Sequence, residues 1–93
     1  MTTQEHKLIL ENRKIYAKLM SIKEERKQLQ SHLDIEIALC GSKLFHNGVL
    51  LPEDIKPTNK IFVKLVCLYE REQILMEIWR DNCVTIKEIR KHE

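Results

Sequence analysis

A chain of 93 residues forms one small domain at most. Charged residues make up 32% of it, yet the net charge is only +2 and the signs are mixed in both halves, which argues against a basic nucleic-acid arm. Two glycines and two prolines among many Leu, Ile, Lys and Glu residues point to a soluble helical protein and away from disorder.

Residues 1–10 lack the charged start and apolar core of a signal peptide. Apolar runs such as Ile74–Met76 are far too short to span a bilayer. Cys40, Cys67 and Cys83 are odd in number and widely spaced, which suits a reducing cytosol better than a disulfide framework. The sequence thus predicts a cytoplasmic protein with no membrane segment.

From Thr2 or Thr3, either of which can cap a helix, the chain reaches Leu39 with no Gly or Pro. Leu8, Ile15, Leu19, Ile22, Leu29, Leu33 and Ile37 recur at steps of three or four. This spacing predicts a long helix over 4–39 with one apolar stripe. Asn12 and Arg26 interrupt the stripe at core-like positions, as polar register residues do in coiled coils. Gly41 stands where a glycine would end the helix.

Residues 41–57 form the connection. Asn47-Gly48 is the preferred pair for a type I′ turn, and apolar residues flank it on both sides, so a small β-hairpin competes with an apolar loop folded over the helix ends. Pro52, Glu53, Asp54 and Pro57 are expected to break regular structure there, apart from a single helical turn begun by Pro52. Thr58 or Asn59 then caps a second helix over 58–80. It either continues to 90 or gives way, after the weak break at Asp81-Asn82, to a short third helix.

The second helix is apolar on two sides. Ile61, Leu65, Leu68, Tyr69, Leu75, Met76 and Trp79 make one stripe; Val63, Cys67, Ile74 and Ile78 make another, roughly opposite. The first suits the long helix of the same chain. The second is expected to meet a protein partner or another copy, because soluble monomers avoid large exposed apolar patches. Leu44, Phe45, Leu50 and Leu51 are too apolar for a solvated loop and join the expected partner interface. If Cys40 and Thr58 are neighbours across the connection, facing residues have numbers summing to about 98, within a turn. That register sets Arg26 opposite Glu72, as an ion pair that fixes alignment more than it adds stability.

Chemical motifs are sparse. His32, Cys40, His46 and Cys67 form no C-x-x-C or H-x-x-x-H pair, so no metal site is predicted. Cys40 near His32 or His46 lacks a third orienting residue for nucleophilic catalysis. Val84–Ile89 resembles the opening helix of a helix-turn-helix unit, with no recognition helix after it. In length, long first helix and the types Arg13, Arg26, Lys27, Arg71 and Glu72, the chain resembles the small all-helical chorismate mutases. That resemblance implies a dimeric enzyme binding a dicarboxylate. The family's Arg-Glu pair opens its second helix, whereas Arg71-Glu72 lies in mid-helix here.

The fold expected is all-α: an antiparallel two-helix hairpin that dimerises as a four-helix arrangement or docks on another protein. The function expected is a non-enzymatic adaptor, assembly factor or inhibitor-type regulator, with no cofactor. The alternatives are a dimeric nucleic-acid-binding regulator using its Lys/Arg-rich helix ends, and third, an enzyme of chorismate-mutase type.

Overall fold

The computed structural model describes residues 2–92, and they form two long helices packed against each other, with no strand among them. Helix α1 spans Thr3–Asn47 and helix α2 spans Pro52–Lys91. The described residues divide into two compact regions: a terminal region of residues 2–23 with 70–92, and a link region of residues 24–69.

Helix α1 starts with Thr2 as its cap. The Thr2 Oγ1 accepts a hydrogen bond from the backbone N–H of Glu5 at 3.0 Å, satisfying one of the orphan donors of the first turn. The helix does not stop at Gly41 or near residue 39, as the sequence suggested. It runs on to Asn47. Gly41 keeps negative φ, and it is Gly48, at φ 77°, that takes the left-handed conformation. The Gly48 N–H donates to the Leu44 carbonyl at 2.8 Å, the bond that closes a helix at a left-handed C′ residue. Asn47-Gly48 therefore ends a helix and makes no β-hairpin turn. Both motifs use the same glycine freedom.

The expected connection over 41–57 shrinks to Gly48–Leu51. Leu51 is the cap of α2, and Pro52 is its first helical residue, where the missing N–H costs nothing. Asp54, three residues past the cap, reaches back: its Oδ2 accepts from the Leu51 N–H at 2.9 Å. This is the returning half of a capping box. Helix α2 also passes through Pro57, where a break was expected. Pro57 has no N–H to donate, so the Glu53 carbonyl loses its intrahelical donor while the helix continues. Nor does α2 break at Asp81-Asn82, and no separate third helix follows. The Asp81 carbonyl accepts from Thr85 Oγ1 at 3.0 Å, and the Asn82 side chain is taken up by Asn12.

Inward positions follow a seven-residue repeat, in alternating steps of three and four. On α1 they include Glu5, Asn12, Ile15, Ile22 and Leu33; on α2, Leu68 and Asn82, with half-buried residues between them. Arg26 and Glu72 each occupy a half-buried inward position of their own helix. Two residues assigned to the core stripes lie outside: Ile37 is 54% exposed and Tyr69 56%. The strict 3.5-residue spacing puts Glu36 and Leu68 inward, and each neighbour is then turned 100° away.

Candidate partner interface

The interior of the terminal region is notably polar. Ile15 and Ile22 are buried, and so are Glu5, Asn12 and Asn82. The Asn82 Nδ2 donates to the Asn12 Oδ1 at 2.9 Å, while the Asn12 Nδ2 points to the Cys83 sulfur at 3.6 Å. Glu5 accepts a hydrogen bond from Arg90 Nε at 2.5 Å. That bond, with the charge behind it, holds the Glu5 carboxyl below the usual carboxylate range against the opposing effect of burial. The Tyr16 and Trp79 rings lie 6.3 Å apart, over an open hollow shared with Leu19, Met76 and Arg80. Numbers rise along α1 as they fall along α2, so the helices are antiparallel here. The facing pairs stand about one turn from the expected register.

In the link region, Leu33 and Leu68 are buried. The Cys40 thiol donates to the Asp54 carbonyl at 3.2 Å and lies 3.8 Å from the Thr58 hydroxyl. Lys43 Nζ pairs with Asp54 Oδ1 at 3.0 Å. The Leu51 N–H and then Lys43 hold the Asp54 carboxyl below its usual range, and Asp54 in turn holds Lys43 above its own.

The expected interface residues divide between the regions. Val63 and Cys67 are exposed in the link region, Ile74 and Ile78 in the terminal region. Leu44 and Phe45 lie in the last turns of α1, with Phe45 86% exposed; Leu51 is exposed and Leu50 half-buried. Arg26 belongs to the link region and Glu72 to the terminal region.

A second group had not been singled out. Ile37 on α1 follows an inward position by one residue, and so do Ile55, Phe62 and Tyr69 on α2; Leu44 lies seven residues after Ile37, on the same side of α1, and follows the exposed Lys43. An antiparallel helix pair has a local two-fold axis perpendicular to the plane of its helix axes. Equivalent positions on the two helices therefore emerge on the same flank. All five are exposed, and Val66, also exposed, lies between Phe62 and Tyr69 in helical space. The corresponding positions on the opposite flank of the link region include Glu25, His32, Lys64 and the exposed Leu39. The seven-residue spacing of Ile55, Phe62 and Tyr69 was visible in the sequence as the signal for this group.

No family model, curated protein or solved structure gives a significant match to this chain. The functional reading rests on the chain's own surface. Among the described residues, no group of three or more His, Cys, Asp or Glu is placed to hold a metal ion, and no helix is long and apolar enough to cross a membrane. The three cysteines are free thiols.

Proposed function

We propose that this protein is a non-enzymatic interaction module, a small helical adaptor, assembly factor or inhibitor-type regulator that docks through exposed apolar helix surface. The observation that carries this reading is the link-region flank of Ile37, Leu44, Ile55, Phe62 and Tyr69. A helix of a two-stranded coiled coil needs apolar residues only on its inward seam, whereas a bundle helix carries a third apolar row beside it. Both helices of the link region carry that third row, on the same flank. The stripe of Val63, Cys67, Ile74 and Ile78 adds a weaker apolar surface on α2, and Phe45 with Leu51 extends the apolar surface to the link. Self-association as a four-helix arrangement and docking on a different protein are both forms of this activity, and the cytoplasm is the proposed site of action.

Affinity capture with the wild type and with Phe62→Glu tests the proposal. A protein retained by the first and lost with the second is the expected result. Retention unaffected by substitutions on either stripe, or nucleic-acid binding that falls steeply with salt, would overturn it.

A further inference from the structure

We infer that the occupant of the link-region flank is a second copy of this chain, packed through the same flank; the inference rests on the interaction reading above and names its partner. The six side chains Ile37, Leu44, Ile55, Phe62, Val66 and Tyr69 form the patch, at 54%, 48%, 38%, 59%, 43% and 56% exposure. Together they present about 600 Å² of accessible surface, most of the roughly 800 Å² that each partner gives to a standard interface. The chain as a whole exposes 7384 Å², where a compact monomer of 11.1 kDa exposes about 5,700 Å². Six of the eighteen exposed large apolar side chains among the described residues lie on this flank, and both helices contribute to it.

The chemistry of the patch selects its partner. None of the six carries a charge, so the patch offers nothing to a charged ligand and asks for an apolar surface in return. It is presented by two antiparallel helices, each with its third apolar row turned the same way. A second copy supplies that same surface, with the same spacing along each helix, and a two-fold axis brings the two together as a closed, isologous contact. Gly41 lies four residues after Ile37 and three before Leu44, so it shares their side of α1. A Cβ built there meets nothing within 4 Å, and the bare backbone leaves room for close approach of a neighbouring helix. The four helices then bury the third rows as a bundle core.

Sedimentation of the full chain up to about 100 μM tests this, with helix content followed by circular dichroism. The wild type and Ile74→Glu are expected to be dimers. Phe62→Glu and, independently, Ile37→Lys are expected to keep their helix content and weaken the dimer at least about thirtyfold, the loss typical of a central apolar anchor. A dimer that survives both flank substitutions and dissociates with Ile74→Glu overturns the flank in favour of the other stripe. A monomeric wild type overturns the second copy. If that monomer still captures a cellular protein that Phe62→Glu loses, the interaction reading stands with a different partner; if it captures none, both fall.

Discussion

The two regions solve the problem of a thin core in opposite ways. The terminal region turns polar groups inward, with Asn12 on Asn82 and Glu5 on Arg90. The link region keeps Leu33 and Leu68 inside and turns Ile37, Phe62 and Tyr69 out to solvent. Buried amides add little net stability, but each accepts only a matching neighbour, so they define alignment. Exposed apolar rows do the reverse: they tolerate many neighbours and gain free energy only once covered. One region thus specifies how its helices meet, and the other is left to meet something else.

Core truncation is the severest way to probe this contrast. Ile22→Ala in the terminal region and Leu68→Ala in the link region should each cost about 2–4 kcal/mol in urea unfolding, since both side chains are almost fully buried. A single transition shifted by both variants would show that the regions unfold as one; a transition that splits would show that they do not. Next is the amide pair. Asn12→Ala should cost about 1–3 kcal/mol, because it strands the buried Asn82 donor. Replacing both with Leu should cost less than the two single changes together, and a double-mutant cycle with no coupling would remove the aligning role of the pair.

Smaller effects are expected at the glycines. Gly48→Ala should lose about 1 kcal/mol, because φ is positive there. Gly41→Ala should gain about 0.4–1 kcal/mol in the free chain, because the site is helical and open. Thermal melts compare the two directly, and equal effects of the same sign would contradict the assignment of Gly48 as the helix stop. The mildest change is acid sensitivity. Glu5 and Asp54 are both held below the usual carboxylate range. The stability they contribute is therefore present above that range and lost as pH falls through it, below about pH 4. Melting midpoints from pH 7 to pH 3 should fall less for Glu5→Gln than for the wild type. An unchanged slope would show that the Arg90 contact adds nothing in solution.

The helices were legible in the sequence because Gly and Pro are scarce and apolar residues recur at helical steps. Their ends were not. Gly41 reads as the stop and Gly48 as part of a hairpin turn, whereas it is Gly48 that takes the left-handed conformation and ends the helix. Pro57 reads as a breaker, but it removes one intrahelical hydrogen bond and α2 continues past it. The inward rows were read at 3.6 residues per turn, whereas the buried positions keep a spacing of 3.5. An inward row that alternates steps of three and four passes through Glu36 and Leu68, which leaves Ile37 and Tyr69 at the surface. The difference in spacing also hid the flank: Ile37 and Tyr69 were read as core, Leu44 as partner interface and Ile55 as connection, while Phe62 and Val66 belonged to neither stripe. The stripe of Val63, Cys67, Ile74 and Ile78 was legible as apolar, but periodicity alone does not say which of two outer stripes a partner covers.

The short reversal at Gly48–Leu51 also bears on the order in which the molecule assembles. The contact of Cys40 with Asp54 closes a loop of 14 residues, and that of Glu5 with Arg90 closes one of 85. Chain entropy favours the shorter closure by about 1.6 kcal/mol. Pairing is therefore expected to start beside the reversal and zip outward, with the tip formed in the folding transition state and the Glu5–Arg90 contact added late. Substitutions of Asp54 would then slow folding, while those of Glu5 would mainly speed unfolding.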